Sequence, residues 1–197
     1  MQPSLFRTPP NEFRGVTLWM LNDELEEEEL RRQLREIHDK GIGAVIPRTF
    51  MGLRTEYLSE EWMEATEAIV ELAEELDMEV FFQAGYMPSA IPDLNPVDAQ
   101  AAIASVPRGQ ELEDDQQLVA EDENFRYVQD TRIHVLDMFN RKAVSHYLRD
   151  AYEETWFEHF GDHFGETISS IWVDEPHFQP PHLPWGERLK EGFEKRW

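Results

Sequence analysis

The 197-residue chain contains no cysteine. That excludes disulfide frameworks, thiolate zinc sites and cysteine nucleophiles, so a metal would have to be held by oxygen or histidine ligands. No apolar run approaches membrane-spanning length, and the first ten residues carry an arginine and prolines rather than a leader's apolar stretch. Neither a secretory signal nor a transmembrane helix is expected, and a cytoplasmic location follows. No Gly-x-Gly-x-x-Gly follows the first apolar run and no Walker loop occurs, which disfavours the nucleotide-binding versions of an α/β fold. Lysine is scarce, at Lys40, Lys142, Lys190 and Lys195 only.

Acid is abundant. Asp and Glu number 41 against 18 Lys and Arg, for a formal charge of −23. Such a surface repels nucleic acid and anionic membrane, so neither is expected as a partner. Many acids with few lysines also match proteins of a high-salt cytoplasm, where screening relieves the self-repulsion of the compact state. With 41% hydrophobic residues the chain can bury one sizeable core, and a single domain spanning residues 1–197 is expected.

Short apolar runs alternate with helical patterns. Gly15–Leu21 reads as a strand, with Asn22-Asp23 as cap candidates before an acidic first turn and a helix bearing Leu30, Leu34 and Ile37, closed by Lys40-Gly41. Gly43–Pro47 is a second strand, and Ser59 caps a helix with Trp62, Ala65, Ile69, Leu72 and Leu76 on one face. Glu79–Gln83 is a third strand; Asn95-Pro96 reads as a cap opening a helix through Ala99–Ser105. The stretch 108–126 is acidic, Gln-rich and without a period, which predicts a flexible excursion. Arg132–Asp137 is a fourth strand, followed by Asn140 as cap of a long helix with Val144, Leu148, Ala151, Thr155 and Phe160 inward. A fifth strand and a final helical piece from Trp185 or Gly186 to Trp197 complete the pattern. Repeated βα order selects a parallel sheet, and units of similar length favour a barrel.

The fifth strand is the most informative segment. Ile168, Ile171, Trp172 and Val173 suit a buried strand, whereas Asp174 and Glu175 would be costly there unless solvated or paired, so the acids belong at its carboxyl end. Pro176 cannot donate a ladder bond and disfavours helix at Glu175, which ends the strand at that point. In parallel α/β folds this is the end where ligands bind. Two acids simply meeting solvent where a strand leaves the core is the plain alternative.

Leu18-Trp19-Met20-Leu21-Asn22, Ile46-Pro47-Arg48 with Met51-Gly52-Leu53, Tyr57-Leu58-Ser59-Glu60-Glu61-Trp62, Tyr86-Met87-Pro88-Ser89, Leu136-Asp137-Met138-Phe139-Asn140, Phe160-Gly161 with Phe164-Gly165, and Val173-Asp174-Glu175-Pro176 follow one another along the chain. Together and in this order they resemble the TIM-barrel catalytic domain of large glycoside hydrolases, most of all the α-L-rhamnosidase-like group. The resemblance implies an incomplete (β/α) barrel of about five βα units, because a full barrel takes ~250 residues. One departure stands at Gln83-Ala84-Gly85-Tyr86, where many relatives carry an acidic pair.

Glycoside hydrolysis uses two carboxylates, ~5–5.5 Å apart for retention and ~6.5–9.5 Å for inversion. The resemblance implies Glu175 as general acid, with Asp174 orienting it or capping the next loop; Asp137 is the other strand-end acid within the chain. Trp19, Asn22, Arg48, Tyr86, His134 and Asn140 lie near strand ends and suit sugar binding by stacking or hydrogen bonding, though each can equally serve core packing, capping or an ion pair. His159 and His163 are spaced as helical ligands, but Gly161 interrupts them, and no metal or other cofactor is expected. The expected function is therefore a glycoside hydrolase-like domain that acts on or binds carbohydrate and is weakly active or inactive alone. The alternative is a non-catalytic carbohydrate-binding or assembly module, completed by another copy or by a separately encoded second half-barrel.

Overall fold

The computed structural model of the protein describes residues 3–83, 95–99, 101–130, 136–174 and 183–197. In chain order the elements are α1 (Pro3–Arg7), β1 (Val16–Leu21), α2 (Glu27–Asp39), β2 (Ala44–Thr49), α3 (Glu60–Glu75), β3 (Glu79–Gln83), β4 (Ala101–Pro107), β5 (Gln116–Glu121), β6 (Phe125–Asp130), α4 (Arg141–Tyr147), α5 (Phe157–Phe160), β7 (Ile168–Trp172), β8 (Leu183–Trp185) and α6 (Glu187–Glu194). A π-helical stretch, Leu148–Trp156, lies between α4 and α5. The chain divides into two compact units, Met1–Pro88 with Tyr152–Asp174, and Ser89–Ala151 with Glu175–Trp197.

The first unit is built on a parallel sheet of order β1-β2-β3-β7. Alternation along β1 sends Trp19 and Leu21 into the core with Leu34, Val45, Trp62, Ile69, Leu72, Val80 and Phe82, while Val16, Leu18 and Met20 stay exposed. The α2 helix buries Leu30 and Leu34, and its first turn holds Glu27, Glu28 and Glu29 near the positive end of the helix dipole. It begins later than Asn22-Asp23 predict: Glu26 occupies the cap position without a side-chain bond. Arg31 joins Glu27 at 2.7 Å and Glu71 of α3 at 2.8 Å. Ser59 caps α3 as expected, its hydroxyl accepting from the Trp62 amide at 3.2 Å. Trp62, Ala65, Ile69 and Leu72 form the buried stripe.

The sheet corrects the strand order. β3 pairs directly with β7, Phe81 to Ser170, Phe82 to Ile171 and Gln83 to Trp172, so the fifth predicted strand is the direct neighbour of the third. Residues 132–135 are outside the described set; Leu136 makes a single antiparallel bridge to Ala99. Among the described residues the parallel sheet is open rather than closed into a barrel.

The second unit holds an antiparallel sheet of order β5-β6-β4-β8, which the βα rhythm does not foretell. The helix predicted over Ala99–Ser105 is a 3₁₀ turn at Pro96–Asp98 followed by β4. Its alanines favour helix locally, but Ala102 and Val106 are buried against a partner strand, with Ala102 opposite Asp130 and Val106 opposite Arg126. Sheet pairing outweighs a propensity difference of under about 1 kcal/mol per residue. The stretch 108–126 contains β5 and opens β6.

The long helix predicted after Asn140 also differs. Asn140 caps α4, its side chain accepting from the Lys142 amide, but the π-helical stretch then widens the turn. Trp156 and Phe160, four residues apart and so on one face, are both buried, whereas Leu148 is exposed.

Candidate functional site

The carboxyl ends of the four parallel strands bring charged and aromatic side chains together in the first unit. Arg48, the fifth residue of β2, is 8% exposed. A cation so far from water needs a counter-charge, and Asp174 supplies it: Arg48 Nη2 donates to Asp174 Oδ2. The guanidinium also lies 5.5 Å from the centroid of Phe50 and 5.0 Å from that of Trp172, whose electron-rich faces attract a cation. Since β3 stands between β2 and β7, this ion pair spans the end of β3. Gln83 closes β3 there, 4% exposed, and neither its amide nitrogen nor its amide oxygen has a hydrogen-bond partner among the described residues; the same holds for Arg48 Nε.

A groove of about 420 Å³ opens at the end of β1, lined by Trp19, Asn22, Asp23, Glu29, Gln33 and Arg54 among others. Trp19 is not a stacking platform: its ring is buried in the core cluster and its Nε1 donates to Gln33 Oε1 at 2.7 Å. Gln33 in turn donates to Glu29 Oε1 at 2.7 Å. Hydrogen bonds from Arg32 and Gln33 hold the Glu29 carboxyl down at about 2. Asn22 is exposed at the groove rim.

The structure thus joins Arg48 to Asp174 and places Trp19 and Asn22 at the neighbouring strand end. Asp137 and Asn140 belong to the second unit. There Asp137 Oδ1 accepts from the Phe139 amide at 3.1 Å, and burial raises its carboxyl pKa, opposed by bonds from Phe139 and Asn140 and by Arg188. Asn140 is committed to its cap. Glu175, Tyr86 and His134 lie outside the described residues. His159 and His163 approach separate α3 glutamates, Glu67 at 3.6 Å and Glu74 at 3.4 Å.

No family model matches the chain, and no curated protein matches it. Among solved structures, a rhamnosidase from Novosphingobium sp. PP1Y is similar with a TM-score of 0.39 and 22% identity, over 59% of this chain and 12% of that chain. No helix among the described residues is long and apolar enough to cross a membrane.

Sequence reasoning missed Phe50, Trp172 and Gln83 as members of the strand-end cluster. For Trp172 a signal existed: it precedes Asp174 by two residues, and in an extended segment residues two apart share a face. Gln83, a polar residue ending an apolar strand, carried the same kind of signal.

Proposed function

We propose that the first unit is a glycoside hydrolase-like domain whose carbohydrate surface is the carboxyl end of the parallel sheet. The arginine–carboxylate pair flanked by Phe50 and Trp172 carries this reading. A sugar presents hydroxyls at its rim and C–H groups on its faces, so it is recognised by fixed polar side chains beside aromatic ring faces. Arg48 and Asp174 are fixed by each other, and Trp172 supplies a ring beside them. The ordered resemblance of the chain to the rhamnosidase-like barrels supports the same choice of ligand.

Glu175 follows Asp174 directly and is the general acid of this reading. Asp174, engaged with Arg48, is a positioning residue that sets where the chain leaves β7. Hydrolysis needs a second carboxylate, and Asp137 is already engaged in its local turn. The domain therefore binds carbohydrate and hydrolyses it weakly or not at all. Titration calorimetry of the full chain with methyl α-L-rhamnoside and a panel of other methyl glycosides tests this. Saturable binding to one of them, weakened at least about tenfold in Trp172→Ala by the loss of a stacked ring, is the expected result. Absence of binding across the panel at millimolar concentration overturns it. Glu175→Gln should leave binding intact and abolish any residual hydrolysis of an aryl glycoside.

One observation favours a second reading, an assembly module. β1 is an edge of the parallel sheet, and its Val16, Leu18 and Met20 are 46%, 41% and 37% exposed. An apolar edge of this kind invites pairing with another chain. Light scattering that shows a monomer across the micromolar range rules this reading out.

A further inference from the structure

The top of the first unit's core contains a small cavity lined by Leu21, Trp62, Thr66, Phe82, Gln83 and Trp156, with further residues of β2 and the loop after it. Three of these side chains carry polar atoms that are shut away from solvent and have no hydrogen-bond partner among the described residues: Trp62 Nε1, Trp156 Nε1, and both Nε2 and Oε1 of Gln83. Trp62, Gln83 and Trp156 are 5%, 4% and 2% exposed. Buried polar groups in folded proteins are nearly always bonded, to protein or to internal water.

The side chains cannot satisfy one another. Both indoles only donate, and Gln83 brings two N–H bonds of its own against a single carbonyl oxygen, whichever way its amide is turned. Thr66 adds one acceptor, since its hydroxyl hydrogen is already given to the Trp62 carbonyl at 2.8 Å. Thr49 and Tyr57 also line the cavity, but each hydroxyl brings a donor together with its acceptor, so donors stay in excess, and what they need is a small group that accepts twice and can itself donate. The cavity volume, about 10 Å³, is room for one water molecule and nothing larger.

We propose that this cavity is a binding site for a single internal water, held between the Trp62 and Trp156 indoles and the Gln83 amide. The water accepts from two of the N–H donors and donates to Gln83 Oε1 or to Thr66 Oγ1, becoming a fixed part of the join between α3, the end of β3 and the helical segment that carries Trp156. Because Gln83 is paired in register with Trp172, the water also anchors the strand end beside Arg48. The site stands on these atoms alone and does not depend on what the chain binds.

The test is water-to-protein cross-relaxation on the full chain with ¹⁵N-labelled tryptophan. The indole protons of Trp62 and Trp156 should show cross-peaks to water with the sign of a long-lived contact, while Trp197, 92% exposed, shows only bulk exchange. In Gln83→Leu, which keeps the volume and removes the amide, those two cross-peaks should fall severalfold. If that variant loses the dispersed indole spectrum of the folded chain, Gln83→Met provides the comparison. Absence of long-lived cross-peaks at both indoles in the unaltered protein overturns the proposal, and so does their persistence at full intensity in a folded variant lacking the amide.

Discussion

Arg48 and Asp174 are joined by a hydrogen-bonded ion pair across 126 residues of sequence, and it links β2 to the segment just after β7. With side-chain exposures of 10% and 18%, the pair is largely shielded from water. Arg48→Met should destabilise the chain by up to about 3 kcal/mol in urea denaturation, because it removes the cation that faces the shielded Asp174 carboxylate. The double variant with Asp174→Asn should recover a substantial part of that loss. Strict additivity of the two single changes would show that the contact is not energetically coupled.

Gly43 is a test of how the 3₁₀ turn Asn11–Phe13 seats on the sheet. A Cβ placed there would lie 2.3 Å from the Asn11 carbonyl oxygen and 2.9 Å from Arg14 Cβ. The turn cannot drift away freely, since Asn11 Nδ2 donates to the carbonyls of Leu76 and Asp77. Gly43→Ala should cost on the order of 2 kcal/mol through backbone overcrowding, read as a fall in the midpoint of thermal unfolding. Gly109→Ala, where a Cβ meets nothing within 4 Å, is the matched control and should leave the midpoint nearly unchanged.

The Glu29 carboxyl, held at about 2 by its bonds from Arg32 and Gln33, should titrate well below the other exposed glutamates when followed by carboxyl NMR. A folded pKa below the unfolded one means that the unfolded chain binds more protons between the two values. Any stability from this group is therefore present above the usual carboxylate range and is lost as pH falls towards 2. Asp137 runs the other way: with its folded pKa raised by burial, its contribution weakens as pH rises through the carboxylate range. Arg32→Gln should return Glu29 towards an ordinary value, and an unchanged midpoint would exclude Arg32 as the principal cause.

At a formal charge of −23, self-repulsion should dominate the salt response. The melting temperature should climb as sodium chloride rises from about 0.01 M to 1 M, where the screening length shrinks from about 30 Å to about 3 Å. A melting temperature independent of salt would remove the argument for a high-salt habitat.

Much of the first unit was legible before any coordinates. Ser59 capping α3, the Trp62 to Leu72 stripe and the existence of a strand at Ile168–Trp172 show where short-range periodicity and cap chemistry suffice, because each depends on residues within a few positions of one another; the burial expected of that strand is met at Ile168 but not at Ile171 or Val173, which are 40% and 71% exposed. Arg48 and Asp174 were also legible as strand-end charges. Their pairing was not, since nothing in either local sequence indicates a partner 126 positions away. β4 was misread for the converse reason: its alanines speak for helix, and the strand that overrides them is contributed by residues 125–130.

Local pattern by itself determined most strands and helices of the first unit, and composition alone how acidic the chain is. Tertiary structure alone decided that β3 pairs with β7, that the remaining strands form an antiparallel sheet, and that Arg48, Trp172 and Asp174 meet. The division has a physical basis. Periodicity and capping are short-range effects written within a few residues, whereas strand order and ion pairing are settled by which distant segments can bury their apolar faces together without leaving charges and backbone groups unpaired.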